Sequence, residues 1–413
     1  MQTMNGKYNE AKIYASVMED SCKEQIQTLL DQPFVEDEKI RIMADTHAGS
    51  GCVIGYTQTI KNKKVCPNLV GVDISCGVFV ANLGKQELDL EKLDKVIREN
   101  IPCGRNIHEG RKFKFPRLNE LTCYRELSAD TIHFAERAIA TLGGGNHFIS
   151  VEQDEEGNNY LLVHSGSRNL GKHVAEFHQA MANKLCNHDY ADFDRKKKTL
   201  IETYKREGRK TEIAPALIAL KQNYSVSKNI VPYDLAYLCD EYFDNYLQDT
   251  RILSEYSHLN RAGMAELICD KYGCAVTDTF ETLHNYIDTD NLVIRKGAIS
   301  AQTGEIMIIP INMRDGSLIC VGKGNADYNC SAPHGAGRLM SRTKAKETVT
   351  LEDFKKSMEG IYTTCVDEST IDESCFAYKK IEDIVPNITD SVDVVKRLKP
   401  IYNFKASDNY GKV

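Results

Sequence analysis

The chain of 413 residues contains no tryptophan, and no apolar run in it approaches the roughly 20 residues that a membrane-spanning helix needs. The segment from Met1 to Lys12 is polar and lacks the apolar stretch of a secretory signal. A cytoplasmic protein without membrane association is therefore expected. The 14 cysteines include no CxxC pair and form no dense framework. In a chain of this length they are expected as reduced thiols, serving as small buried apolar residues or as metal ligands. No GxxxxGK[ST] segment is present, which removes phosphate binding by a P-loop. The KxDG motif of lysine-using nucleotidyltransferases is also missing: at Met313-Arg-Asp-Gly316 the lysine position holds methionine. Repeats, low-complexity tracts and Pro/Ser-rich linkers are lacking as well.

The formal net charge is -7, which argues against broad electrostatic coating of nucleic acid. Two basic clusters, Arg105 to Arg117 (RNIHEGRKFKFPR) and Arg195 to Lys198 (RKKK), read as solvated faces. Periodicity predicts a helix over Val17 to Leu30, buried strands at Leu69–Ile74 and Val78–Leu83, a helix from Ala129 to Leu142 and a strand at Tyr160–His164. From residue 169 to about 272 the pattern is mostly helical, with amphipathic stretches such as Ala191–Arg206 and Tyr233–Glu255. Strand signals return at Asn291–Arg295, Glu305–Ile311 and Ser317–Val321, and Arg338 to Lys346 reads as helical. The expected fold is α+β: one large domain over 1–413, mixed β-sheets surrounded by helices, with a helical insertion. Polar motifs lie on both sides of the helical block, which argues for one centre in one domain.

Those motifs place potential ligands beside glycine at the ends of apolar segments. They are Asp45-Thr-His47-Ala-Gly49, Gly71-Val-Asp73-Ile-Ser-Cys76-Gly77, Gly143-Gly-Gly-Asn146-His147, His164-Ser-Gly-Ser-Arg168, His284-Asn285 and His334-Gly-Ala-Gly-Arg338. Taken singly, each has a structural explanation. A histidine beside glycine is more often satisfied in the core than a ligand, Asp73 could cap a turn, and Cys76 could be a small buried residue. Together, five of the 11 histidines fall in such motifs. A thiolate, imidazoles and a carboxylate suit manganese, iron or zinc. Asp73 and Cys76, three residues apart, could face one site, with the thiolate shared by two ions. If a nucleotide is handled covalently, a histidine is the better nucleophile. His334 fits, because the glycine amides after it could cradle a phosphate and Arg338 could pair with that phosphate.

MADTHAGSGCVIG, VGVDISCGV, LGGGNHF, VHSGSRNLG, HNY, RKGA and PHGAGRLMSR, in this order from residue 43 to 343, resemble the motifs of the RtcB family of RNA-splicing ligases. Lys405 matches the family's near-terminal lysine. The resemblance implies a GTP- and Mn²⁺-dependent ligase that joins an RNA 3′-phosphate or 2′,3′-cyclic phosphate to a 5′-hydroxyl, in RNA repair or tRNA splicing. By motif position, Asp73, Cys76, His147, His164 and His284 look like ligands of two manganese ions. His334 looks like the residue that is guanylylated, and Asp45 the one that orients it. Asn146 and Asn285 are similar to asparagines that hold GTP phosphates. Arg168 and Arg338 resemble arginines that hold RNA and phosphate groups. Gly335, Ala336 and Gly337 would line the nucleotide pocket, with Lys405 at the guanine. RNA with the stated ends, GTP and an archease-like activator are the implied partners. Where many members carry a guanine-side Glu four residues after the Asn of NHF, this chain has Ser150, with Glu152 two further on. It also has INMRDGS in place of PGSMG, and Pro333 before the histidine. The alternative weighed is a Mn²⁺-dependent phosphoesterase that opens cyclic phosphates without ligating. A non-catalytic RNA-binding protein on the same scaffold is a third.

Overall fold

Why the cavity lies where it does follows from how two antiparallel-rich sheets are wound. The computed structural model describes residues 1–15, 18–223 and 231–407, without the side chains of 188–192 and 222–223. Six strands form the first sheet, in the order Gln2–Asn5, Glu10–Ile13, Ile40–His47, Ile54–Thr59, Val293–Lys296 and Asn285–Asp288. The main path of the larger sheet runs Ile306–Asn312, Gly316–Gly322, Val392–Phe404, Phe148–Gln153, Asn159–Ser165, Gly77–Gly84 and Asp278–Leu283. Its two outer strands come back together, where the Ile308 amide donates to Thr282 Oγ1 at 3.0 Å. A short pair, Ala298–Ser300 with Ser331–Pro333, bridges toward the first sheet and delivers the chain to His334.

The fold class is the expected mixed α+β. The helical block is built from Arg168–Cys186, His188–Arg206, Ile213–Asn223 and the 33-residue Asp240–Tyr272, which ends at Gly273 in the left-handed region (φ 87°). Between the last two helices, residues 233–239 are a short 3₁₀ turn and loop, so the expected helix from Tyr233 begins instead at Asp240. The block and the first sheet share one core, in which Ile42 of the sheet and Val174, Tyr246 and Leu253 of the block are all buried.

Four further local expectations are corrected. Leu69–Ile74 is not a strand: after the 3₁₀ turn Pro67–Leu69 the backbone turns at Gly71 (φ 100°) and Ser75 (φ 59°). Its apolar residues Leu69, Val70 and Ile74 enter the core from a loop, without ladder partners. Helix does not start at Arg338 but at Arg342, after Ser341, whose side chain accepts from the Lys344 amide. The helix after Ser128 stops at Arg137, well short of Leu142. The helix expected from Val17 runs Asp20–Leu30, and Val17 itself lies outside the described residues. Within the first basic stretch, Phe113 and Phe115 pack onto the core, while Arg117 reaches Glu120 and Glu255.

Candidate metal centre and adjoining cavity

Cys76 lies in a tight turn pinned at both ends. Its amide takes the Asp73 carbonyl at 3.2 Å, its carbonyl accepts from the His284 amide at 3.0 Å, and the neighbouring Ser75 amide donates to the Asn285 carbonyl. Strand pairing of Gly77–Gly84 with Asn159–Ser165 sets Val78 opposite His164, and His164 in turn sits opposite Phe148 on the next strand. Four distant segments thus converge. Cys76 Sγ is 3.4 Å from His147 Nε2 and 3.3 Å from His164 Nε2. His147 Nε2 is 2.9 Å from Asp73 Oδ2, and His164 Nε2 is 3.4 Å from His284 Nε2. Two donor sets result, Asp73–Cys76–His147 and Cys76–His164–His284, with the donor atoms of each within 4.8 Å of one another and the thiol common to both.

The chemistry of these atoms fits a pair of divalent cations. The Asn146 carbonyl, 3.1 Å from His164 Nδ1, accepts a hydrogen bond from that nitrogen and leaves Nε2 as a lone pair facing sulfur and the His284 ring. Burial and neighbouring imidazoles push His164 and His284 well below the usual histidine range, so both rings are neutral. Burial and the nearby Asp73 push the Cys76 thiol up. Burial also raises Asp73, but its hydrogen bond to His147 and the charge there hold the carboxyl down to about 2. Lone pairs facing each other this closely repel unless a cation lies between them. Metal–nitrogen and metal–sulfur bonds of about 2.0–2.3 Å make tetrahedral edges of roughly 3.3–3.8 Å, close to the separations found here. Close approach is built in at Gly166, where a Cβ would overlap the Asp73 carboxylate.

His334 follows the Ser331–Pro333 strand. Its Nδ1 lies 2.7 Å from Oδ2 of Asp45, which is wholly buried, and the same oxygen accepts from the His334 amide at 3.2 Å. This fixes the Nδ1–H tautomer and leaves Nε2 free. The His334 and His284 ring centroids are 5.1 Å apart, so the free nitrogen borders the donor cluster. Gly337 (φ 72°) passes so near the Asp45 carbonyl that any Cβ would collide with it.

A cavity of about 270 Å³ opens from these histidines. His164, His284, His334, Gly335, Ala336, Gly337, Arg338, Asn146 and Lys405 line it. Arg338 donates to the Met340 and Asp372 carbonyls and to the Tyr378 hydroxyl, and lies over the Tyr378 ring. Lys405, only 3% exposed, pairs with Glu373 at 2.9 Å. Two of the expected residues are elsewhere. Arg168 does not line the cavity; it donates to Thr141 Oγ1 and the Gly104 carbonyl behind the Asp73 turn. Asn285 is also off the wall, with Oδ1 accepting from the Gly297 amide. Sequence reasoning missed Glu373, Tyr378, Arg342 and Asn403, which all line the cavity. Arg342 closes the PHGAGRLMSR motif without its role being readable there; Glu373, Tyr378 and Asn403 stand in no motif, and only the sheet register opposing Asn403 to Ser150 brings that last residue in.

A turn-held thiol, a carboxylate and three imidazoles beside an aspartate-oriented histidine define a candidate metal-dependent group-transfer enzyme. Comparison with known proteins narrows this. The family model described as tRNA-splicing ligase RtcB matches residues 25–127 and 117–406, so the chain belongs to the RtcB family. The RNA-splicing ligase RtcB of Escherichia coli K12 is 29% identical over 93% of this chain and 94% of its own length. The tRNA-splicing ligases RtcB of Aeropyrum pernix and Nanoarchaeum equitans are 26% and 24% identical. Those matches cover 87% and 95% of this chain, and 86% and 93% of the relatives.

Proposed function

We propose that this protein is a GTP-dependent RNA ligase that uses two Mn²⁺ ions and joins RNA 3′-phosphate ends to 5′-hydroxyl ends through a guanylylated His334. The observation that carries this reading is the 2.7 Å contact from Asp45 to His334 Nδ1, with the His334 ring next to the donor cluster. Asp73, Cys76, His147, His164 and His284 would hold the ions, with Cys76 bridging. When bound, the ions supply charge that offsets the negative charge building on phosphate oxygens.

The residues do the rest. Asp45 retains the proton on Nδ1 and stabilises the charge that develops on the ring as Nε2 attacks the α-phosphorus of GTP. The bond to the β-phosphate oxygen breaks and pyrophosphate leaves. An oxygen of the RNA 3′-phosphate then attacks the same phosphorus, the P–N bond breaks, and the imidazole returns to neutrality. The RNA end now carries GMP in an anhydride. The 5′-hydroxyl attacks the RNA phosphorus, loses its proton, and GMP departs. A cyclic phosphate enters this sequence after water opens it to a 3′-phosphate. The amides of Gly335, Ala336 and Gly337 can cradle phosphate oxygens. Arg338 supplies positive charge at the same wall.

Incubation with [α-³²P]GTP and MnCl₂ followed by a denaturing gel tests the reading. The label should be acid-labile and base-stable, lost in His334→Ala and retained in His173→Ala. Absence of label from the wild type, with cyclic phosphates still opened, would replace it by the phosphoesterase alternative.

A further inference from the structure

As the 5′-hydroxyl attacks, its proton needs an acceptor close to the phosphorus. The ring nitrogens of His164 and His284 face each other within the donor cluster. The His334 ring has just released GMP and still faces its phosphate. Glu373 is taken up by Lys405, Arg342 and the Tyr378 hydroxyl. Glu152 lines the cavity, and its Oε2 has no partner among the described residues, but the Ser150 and Ser317 hydroxyls hold the group away from the metal end. It lies four residues along its strand from Phe148, which packs against His164, a separation on the order of 13 Å.

His47 meets the need. It ends the strand Ile40–His47, whose other residues are all buried, and its half-buried ring lines the cavity. The ladder with Ile54–Thr59 is irregular between Ile42 and His47. There the Asp45 carbonyl accepts from a side chain, His47 Nδ1, at 3.1 Å. That contact keeps the proton on Nδ1 and leaves a lone pair on Nε2, which has no hydrogen-bond partner among the described residues. Asp45 thus anchors two imidazoles, His334 through its carboxylate and His47 through its carbonyl. Burial pushes His47 below the usual histidine range, the contact with Asp45 and its charge oppose this, and the charges of His334 and Arg338 lower it further. The ring is therefore neutral near pH 7 and able to take a proton. Arg338, whose charge reaches the ring, also stands where the RNA phosphate would be held, so the phosphorus under attack and His47 share one wall.

We propose that His47 is the general base of the sealing step, its Nε2 taking the proton of the 5′-hydroxyl. This rests on the ligase reading above. The 5′-oxygen forms a bond to the RNA phosphorus. The bond from that phosphorus to the anhydride oxygen breaks, and its electron pair leaves on GMP. The proton ends on Nε2, and the imidazolium passes it to water.

Sealing can be read alone by giving the full chain an RNA that already carries GMP in a 3′-anhydride, a 5′-hydroxyl RNA and MnCl₂. Guanylylation with [α-³²P]GTP is the comparison. His47→Ala should slow sealing about a hundredfold, and added imidazole should restore part of the rate. The wild-type sealing rate should rise with pH to a plateau, through an inflection below 6.5 that His47→Ala lacks. His47→Asn keeps a donor for the Asp45 carbonyl but supplies no base. It should seal as slowly as His47→Ala, and its loss in sealing should exceed its loss in guanylylation at least about tenfold. Sealing by His47→Asn at the wild-type rate, or equal slowing of guanylylation and sealing, would overturn the assignment and leave the ligase reading standing. A wild type unable to seal the preactivated RNA would overturn the ligase reading, and the assignment with it.

Discussion

Cys76, His164 and His284 form one buried cluster, and Cys123, His178 and Asp249 form a second where the turn at Cys123 meets the helical block. The two are alike in composition, in compactness and in burial. They differ in how their atoms are satisfied. In the second, Asp249 accepts from the Thr122 amide at 2.7 Å, the Thr122 hydroxyl at 2.9 Å and His178 Nε2 at 2.8 Å. The His178 ring packs against Tyr246, and burial with the nearby Asp249 pushes the Cys123 thiol up. The Asp249 carboxylate and His178 Nε2 have protein partners there, and the cluster does not line the cavity. In the first cluster a bare imidazole nitrogen faces a second imidazole and a sulfur, beside open space. Donor type alone does not mark a metal centre. Unsatisfied lone pairs with an approach route do.

The widest separation between the clusters is expected on metal content. Cys76→Ala should lose bound manganese, measured by plasma mass spectrometry, while the circular dichroism spectrum stays native. Cys123→Ala should keep the full complement. Manganese equal to wild type in Cys76→Ala would refute the bridging role. Asp45→Ala comes next. It removes the acceptor that holds the proton on Nδ1, so His334 is no longer fixed in one tautomer and guanylylation should slow by about 10⁴, as loss of the aspartate does in triads. A variant within tenfold of wild type would remove Asp45 from its orienting role.

Asp249→Asn should act on stability alone. Replacing the oxygen that takes both the Thr122 hydroxyl and His178 Nε2 by an amide costs about 3 kcal/mol, read as a lower urea midpoint, with manganese content unchanged. A drop in metal content would mean that the second cluster is not purely structural. The smallest effect is the pH dependence at Glu152. Its folded value of about 7 lies above the ordinary 4.5, so the folded state holds the proton longer than the unfolded chain does. Stability attributable to this group is fully present below 4.5 and is lost as pH rises through 7. Between pH 5 and 7 the nucleotide-free wild type should therefore lose about 2 kcal/mol relative to Glu152→Gln. Parallel stability curves for the two proteins would contradict that.

The metal end could be read in the sequence because its geometry is local. Asp73 and Cys76 share a turn, Asn146 and His147 follow a run of glycines, and His334 precedes GAGR. Such turns leave glycine signatures wherever the backbone must bend sharply or pass close to another group. The far end of the cavity leaves no such trace. Glu373, Tyr378 and Asn403 sit in ordinary stretches: Asn403 reaches the cavity through the pairing of Val392–Phe404 with Phe148–Gln153, and Glu373 and Tyr378 come from the short 3₁₀ turns Glu368–Glu373 and Cys375–Ala377 and the residue after them. The misplaced strand at Leu69–Ile74 has the same root. Apolar residues show that a segment is buried, and they do not show whether it has ladder partners. Arg168 and Asn285 stand in motifs but lie off the cavity wall, Arg168 donating to Thr141 and Gly104 and Asn285 Oδ1 accepting from the Gly297 amide.

The route by which the chain reaches His334 has a further consequence. Asp45 comes from the first sheet, His334 from the short pair bridging the sheets, and Lys405 from just beyond the strand Val392–Phe404. Contacts spanning some 290 residues, such as Asp45 with His334, close late and slowly during folding. A chain emerging from a ribosome therefore carries a thiol, an aspartate and histidines for most of its synthesis without a working centre.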